Sequence, residues 1–285
     1  MRIELKDILK DFPKRQQDSH KGSFGKILNI AGSKFYAGAA ILSSLAALKT
    51  GAGYVTLACP DTISASINAY SPDITIFPLK SDDGISISPE NIEILTKKAE
   101  EFDVISIGSG LSQTDDVKNF VIHFLQNVKK PLIIDADGLN TISEQKEKKL
   151  PKNSIITPHP KELSRLLYLP VDEIQSDREK YAKLAAKNLK TIVVLKGHRT
   201  IVTDGEKTYI NASGNSALAK AGSGDVLTGM IAGILAQNKN LFSAAALGVY
   251  IHGKAGEAGS EEQSEYGLLA SEIIKYIPKA IMKIF

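Results

Sequence analysis

The strongest constraint on the fold is a repeated rhythm. Short apolar segments each end in glycine or polar residues, and most are followed by a helical pattern. Ile27-Leu28-Asn29-Ile30-Ala31 ends in Gly32-Ser33, and a helix rich in small residues is expected from Gly38 to Lys49. Thr50-Gly51-Ala52-Gly53 stops that helix, and Tyr54 to Ala58 reads as a second strand, completing a βαβ unit. Further strands are expected at Ile74 to Phe77, Val104 to Ile107, Leu132 to Ile134, Ser154 to Ile156 and Ile192 to Leu195, with helices at Asn91 to Glu101 and Val117 to Val128. Strands that are apolar throughout belong to a parallel sheet covered on both faces. The rhythm changes after Lys196. Thr200 to Thr203 and Lys207 to Ile210 flank Asp204-Gly205, a hairpin signal. The expected fold is therefore α/β, a three-layer αβα arrangement whose mainly parallel sheet carries an antiparallel pair at one end. Helices are also expected at Arg2 to Asp11, with a polar loop from Lys14 to Gly25, and at Leu241 to Ala258 and Gly267 to Lys283. No linker interrupts the elements, so residues 1–285 read as one domain.

Composition excludes several classes. The net charge of +3 comes from 35 basic and 32 acidic residues that are interspersed, with no tryptophan and few aromatics, so there is no nucleic-acid footprint. The one cysteine, Cys59, has no intramolecular partner, which fits a reducing cytoplasm; it reads as inert core. The charged first 18 residues do not read as a signal peptide, and no apolar run reaches the roughly 18 residues of a membrane span.

The chemistry points to Asn211 to Gln237. Gly222-Ser223-Gly224-Asp225 opens an apolar helix in which Val226, Leu227, Met230, Ile231, Ile234 and Leu235 share a face. Gly229 and Gly233, one turn apart, would let that helix approach a neighbour closely. Gly222 and Gly224 allow turns that aim N–H groups at one point, where the helix dipole adds positive potential, a site for phosphate oxygens. A carboxylate there repels phosphate. Asp225 makes chemical sense as the base that takes the proton of a hydroxyl attacking phosphorus; the other reading is an N-cap on a glycine-rich turn.

Ligands of open parallel sheets bind at the carboxyl ends of the strands. Ser33, Gly108, Gly110, Asp135, Asp137, Asn140, His159, Glu162, Lys196 and Asp225 all follow strands or open the late helix. A groove along one edge of the sheet would hold two nucleotide-sized ligands. Lys196 either neutralises a phosphate or is a solvated surface lysine. His159, fixed between Pro158 and Pro160, either binds a ligand or caps a strand. Of Asp135 and Asp137, one is expected to serve Mg²⁺ through water and the other to cap a turn. His252, within an apolar helix, reads as a satisfied core histidine. No Cys/His grouping has zinc spacing. Neither the P-loop nor the Rossmann glycine pattern is complete.

Taken in order, the motifs resemble a known family. They are Gly22-Ser23-Phe24-Gly25-Lys26, Tyr36-Ala37-Gly38-Ala39-Ala40, Asp135-Ala136-Asp137-Gly138-Leu139-Asn140, Thr157-Pro158-His159-Pro160-x-Glu162, Leu195-Lys196-Gly197-x-Arg199-Thr200 and Ala221-Gly222-Ser223-Gly224-Asp225-Val226-Leu227. Together they resemble the ADP/ATP-dependent NAD(P)H-hydrate dehydratases of the ribokinase-like superfamily, over nearly the whole chain.

The resemblance implies dehydration of (6S)-NAD(P)H hydrate to NAD(P)H, with ADP, or ATP, as phosphoryl donor and Mg²⁺ as cofactor. It implies Asp225 as catalytic residue. Ala39, Ala40, Gly108, Gly110, Asp137, Asn140, His159, Glu162 and Asp225 would line the hydrate. Lys196, Gly197, His198, Arg199, Thr200, Gly222, Ser223 and Gly224 would line the nucleotide. Some larger members carry a fused NAD(P)HX epimerase; this chain reads as a stand-alone dehydratase paired with a separate one. The small-residue helices and an apolar C-terminal helix reaching Phe285 suggest buried helical surface, and with relatives often oligomeric the resemblance implies a homo-oligomer, expected as a tetramer. Ala217 and Ala221 stand where the family often has glycine, so a slightly reshaped anion loop is expected. The alternatives are a small-alcohol or vitamin kinase of the same superfamily and a non-catalytic nucleotide-binding sensor.

Overall fold

The computed structural model describes residues 1–284; Phe285, to which the expected C-terminal helix extends, lies outside the described residues. The strands are β1 Lys26–Ile30, β2 Tyr54–Pro60, β3 Thr75–Leu79, β4 Val104–Ile107, β5 Leu132–Ile134, β6 Ser154–Ile156, β7 Ile192–Leu195, β8 Ile201–Thr203 and β9 Thr208–Ile210. They form one sheet in the order β3-β2-β1-β4-β5-β6-β7-β8-β9. Every neighbouring pair from β3 to β7 is parallel, while β7–β8 and β8–β9 are antiparallel. The expected fold class is the observed one.

The helices are α1 Leu5–Leu9, α2 Ala37–Lys49, α3 Asp61–Tyr70, α4 Ile92–Ala99, α5 Asp115–Asn127, α6 Ala136–Ser143, α7 Pro160–Leu167, α8 Val171–Ser176, α9 Arg178–Leu189, α10 Ser223–Asn238, α11 Leu241–Gly267 and α12 Ala270–Met282. Strand alternation divides them into two layers. Ile27, Val104, Ile133, Ile155 and Val194 pack with α2, α10, α11 and α12. Leu28, Ile105, Ile134, Ile156 and Val193 pack with α4 to α9. Helix α5 shows why such segments fold locally. Thr114 caps it by accepting from Val117 N–H, Asp115 and Asp116 complement its dipole, and Val117, Phe120, Val121 and Phe124 are buried on one side.

Several boundaries differ from the sequence reading. The expected helix over Arg2 to Asp11 is confined to Leu5–Leu9, and Arg2 instead makes a parallel bridge to Thr208 at the β9 edge. In the hairpin Thr203 pairs with Thr208, so the turn has four residues. The Asp204 carboxylate fixes it by accepting from the N–H groups of Glu206 and Lys207. The helix expected to end at Ala258 continues to Gly267, broken only at Ser264 with φ of 67°. Helices α3, α6, α7, α8 and α9 fill stretches for which no helix bounds are expected.

Candidate active site

The strand order creates a place for a ligand. From β1 the chain runs outward to β2 and β3, then returns to lay β4 on the other side of β1. The crossovers diverge there and leave a crevice at the carboxyl ends of β1 and β4. Gly32 N–H donates to the Ser109 carbonyl at 2.9 Å and stitches its two loops together. Gly108 and Gly110 have φ of 126° and 64°. A Cβ at Gly110 would lie 2.7 Å from Tyr36 Cβ and 2.8 Å from Ala39 Cβ, and one at Gly32 2.9 Å from Ala40 Cβ. Ala39, Ala40, Gly108 and Gly110 therefore come together. They sit at the carboxyl ends of β1 and β4, in the middle of the sheet and not beside an outer strand, and the expected ligand groove starts from there.

Helix α10 aims its N-terminus at this groove. Gly222 is its N-cap at φ of 88°, and Asp225 sits within the first turn without capping it, which removes the cap reading. Ser223 N–H is taken by the Lys220 carbonyl, whereas Gly224 and Asp225 N–H have no partner outside the helix. Neither Ala217 nor Ala221 has positive φ, so alanine imposes no strain and the expected reshaping of the loop has no basis in the backbone. Gly229 and Gly233 seat α10 on α2: an added Cβ would lie 2.0 Å from the Ser43 carbonyl oxygen or 2.7 Å from that of Ala47. His252, buried as expected, has Nε2 3.1 Å from Ser223 Oγ, so it supports the anion loop from beneath. Burial pushes its pKa down to about 4 and keeps it neutral.

A charge network joins β5, β6, β7 and α10. Asp135, 1% exposed, accepts from Thr157 Oγ1 at 2.7 Å, Lys196 Nζ at 2.7 Å and Thr228 Oγ1 at 2.9 Å. Lys196 Nζ is also 3.7 Å from Glu162 Oε2. Lys196 is largely buried, so the solvated-lysine reading is wrong. Burial opposes its charge, but Asp135, Glu162 and Asp225 outweigh burial and raise its pKa. For Glu162 burial prevails over Lys196 and raises the pKa. Burial and then Asp135 push the Asp225 carboxyl up to about 6, against the Ser109 hydroxyl and Lys196.

His159 caps helix α7, not a strand. Its Nδ1 accepts from Glu162 N–H at 3.2 Å and the Glu162 carboxylate accepts from His159 N–H at 2.7 Å. The ring proton then lies on Nε2, 3.4 Å from Glu162 Oε1, while burial and Lys196 lower the pKa. Glu162 is buried in this capping box and supports His159 from inside. Asp137 accepts from Ser112 N–H at 2.9 Å and from Asn140 Nδ2 at 3.4 Å. Thr200 Oγ1 donates to the Gly197 carbonyl at 2.9 Å, and His198 and Arg199 are exposed. Arg199 lines a cavity of about 470 Å³ with Arg2, Ser213, Tyr250 and Lys254.

Sequence reasoning missed Arg178. Its guanidinium, on α9, bonds the carbonyls of Leu195, Lys196 and His198 and fixes the loop after β7. No local motif marks it. It also missed Thr228, one turn after Asp225, which ties α10 to Asp135. The loop before α10 is similarly fastened to α11. Ser213 Oγ donates to the Tyr250 carbonyl, Gly214 N–H to Glu257, and Asn215 Nδ2 to Ser260.

Among the described residues no group of three or more His, Cys, Asp or Glu side chains gathers to bind a metal. Asp135 accepts from Thr157, Lys196 and Thr228 and makes no side-chain cap of α6, whereas Asp137 accepts from Ser112, Gln113 and Asn140.

Residues 27–279 match the family model described as NAD(P)H-hydrate dehydratase. The chain is 36% identical over 272 residues to the ADP-dependent (S)-NAD(P)H-hydrate dehydratase of Bacillus subtilis, covering 94% of this chain and 92% of that one. It is 35% identical over 286 residues to a bifunctional NAD(P)H-hydrate repair enzyme of Thermofilum pendens, covering 99% of this chain but 54% of the relative, so it spans about half of that protein. The crystal structure of the Bacillus subtilis ADP/ATP-dependent NAD(P)H-hydrate dehydratase, co-crystallised with ATP/Mg²⁺, superposes with a TM-score of 0.84 at 34% identity, over 98% of this chain and 97% of that one. The matched span runs from β1 into α12 and includes every element that builds the crevice. The chain belongs to the NAD(P)H-hydrate dehydratase family.

Proposed function

We propose that the protein dehydrates (6S)-NAD(P)H hydrate to NAD(P)H, converting ADP to AMP and phosphate, with Asp225 as the base. The observation that carries this reading is a half-buried carboxylate, held within the first turn of α10, beside N–H groups with no other backbone partner. Hydroxide is a poor leaving group from C6 of the hydrated ring. Asp225 takes the proton of the C6 hydroxyl as its oxygen attacks the β-phosphorus of ADP, and the bond to AMP breaks. The Gly224 and Asp225 N–H groups stabilise charge on the phosphoryl oxygens. Phosphate then leaves with the C–O electrons, driven by the ring nitrogen lone pair, and loss of the C5 proton restores the double bond.

In this reading Ala39, Ala40, Gly108, Gly110, Asp137, Asn140 and His159 face the hydrate, and Glu162 supports His159. Lys196 to Thr200 and Gly222 to Gly224 face the nucleotide. The cavity beside Arg199 has a volume suited to a small ligand. Mg²⁺ would arrive on the nucleotide phosphates and neutralise their charge. We also read residues 1–285 as one domain, cytoplasmic, homotetrameric and paired with a separate epimerase; the continuous nine-stranded sheet supports the first point. No helix among the described residues is long and apolar enough to cross a membrane.

The test is recovery of dihydronicotinamide absorbance from prepared hydrate, with stoichiometric AMP and phosphate. Activity with ATP alone would overturn the donor assignment. Phosphorylation of an added vitamin alcohol, with no NAD(P)H regenerated, would replace the reading with a kinase.

The acid limb of the rate follows from Asp225. A base works ionised, so kcat/KM for the hydrate should rise with pH through about 6 and then level. A flat profile between pH 5 and 7 would remove Asp225 as the base.

Arg178→Ala should raise KM for ADP by roughly tenfold or more, the scale of losing charge-assisted bonds, and leave KM for the hydrate nearly unchanged. Arg178→Lys should not rescue it, because an ammonium cannot reproduce the fork. An unchanged KM for ADP would take the loop after β7 out of the nucleotide site.

A further inference from the structure

Two buried hydroxyls on the loops that follow β1 and β4 have no hydrogen-bond partner. Ser33 is 0% exposed and Ser109 2%, and neither hydroxyl makes a hydrogen bond. Four such orphan side-chain atoms occur among the described residues. The other two, on Thr96 of α4 and Arg178 of α9, belong to helices of the layer away from α10. The serines instead follow β1 and β4, on the two loops joined by the Gly32–Ser109 backbone bond.

The same two strands satisfy their polar groups where no ligand reaches. Ser106 Oγ donates to Asn29 Oδ1 at 2.8 Å, and Asn29 Nδ2 donates to Ser43 and Ser44 at 2.8 and 3.0 Å. Buried hydroxyls are normally paired, so two orphans side by side at the ends of β1 and β4 mark positions where a ligand supplies the partner. The Ser109 hydroxyl lies near the Asp225 carboxylate without closing a bond of normal geometry.

We propose that Ser33 and Ser109 contact the substrate, binding the hydrated dihydronicotinamide ring across the β1/β4 crevice, Ser109 at the C6 hydroxyl and Ser33 at the carboxamide. A hydroxyl both donates and accepts, which matches both groups on the ring. No charge is needed, since the reduced ring carries none. This assignment rests on the proposed reaction at Asp225.

The experiment compares Ser33→Ala, Ser109→Ala and the double variant with wild type, measuring KM for the hydrate, KM for ADP, kcat and Tm. Each single variant should raise KM for the hydrate roughly three- to tenfold, the scale of one neutral hydrogen bond, and leave KM for ADP unchanged. Tm should hold or rise, because an unsatisfied buried group has been removed. In Ser109→Ala alone, the acid limb of kcat/KM should move to higher pH. An unchanged KM for the hydrate in the double variant overturns the assignment. So does a fall in Tm with equal weakening of both substrates, which marks a structural role. If wild type regenerates no NAD(P)H, the proposed reaction fails, and binding of NADH read by its fluorescence decides the Ser33 contact separately. Weaker NADH binding in Ser33→Ala keeps that contact, and unchanged binding ends it.

Discussion

Asp225→Asn is expected to lose two to four orders of magnitude in turnover while gaining stability, on the roughly 10²–10⁴-fold scale of general-base help. The amide cannot take the proton of the attacking hydroxyl. The gain has a separate cause. Burial and the neighbouring Asp135 raise the Asp225 pKa from 3.8 to about 6 in the folded protein. The folded state therefore binds the proton more tightly than the unfolded chain. Protonated Asp225 has its full stabilising effect below about pH 4, and that effect is lost as pH rises through about 6. Above pH 6 the native carboxylate costs on the order of 2–3 kcal/mol, which a neutral amide avoids. Thermal unfolding at pH 7.5 should show a higher Tm for the variant, with the difference shrinking toward pH 4. Near-normal turnover would remove Asp225 from the chemistry. A lower Tm at pH 7.5 would show that its charge is compensated in the fold.

The second large effect is on stability. Lys196→Met should destabilise the protein by about 3–5 kcal/mol at neutral pH, the scale of breaking a buried ion pair from one side. The ammonium stands 2.7 Å from Asp135 and 3.7 Å from Glu162, and both carboxylates are buried. Without it they repel each other, and the Glu162 carboxyl, already raised by burial, loses the cation that opposes the rise. The deficit is then smallest in acid, where Glu162 is protonated, and grows as pH rises. Denaturant titrations at pH 4.5 and 7.5 test this. A deficit below about 1 kcal/mol at both would mean that the pair is hydrated and weak.

The sheet was legible because its strands are apolar throughout and end in glycine or polar residues, and the antiparallel end because Asp204-Gly205 breaks the pattern. Gly229 and Gly233 were readable as a close approach because their spacing is one helical turn. Helix α3 was not readable: it follows Pro60 with no intervening loop, and its β-branched Thr62, Ile63 and Ile67 weaken its helical signal. Individual site positions were visible at strand ends, but their pairings were not. Lys196 meets Asp135 across 61 residues, and Thr228 meets it across 93. Such partners are set by strand order, and no local spacing announces them. Arg178 sits in an otherwise ordinary charged helix for the same reason.

The loop fastened to α11 carries a thermodynamic consequence. Loops that close over a nucleotide usually give up backbone entropy at the moment of binding. Here Ser213, Gly214 and Asn215 are already tied to Tyr250, Glu257 and Ser260. Their freedom is lost during folding, once, and not again in each catalytic cycle. In the proposed reaction the loop that follows them, at the start of α10, is then a template cut in advance, to which the two substrates accommodate themselves.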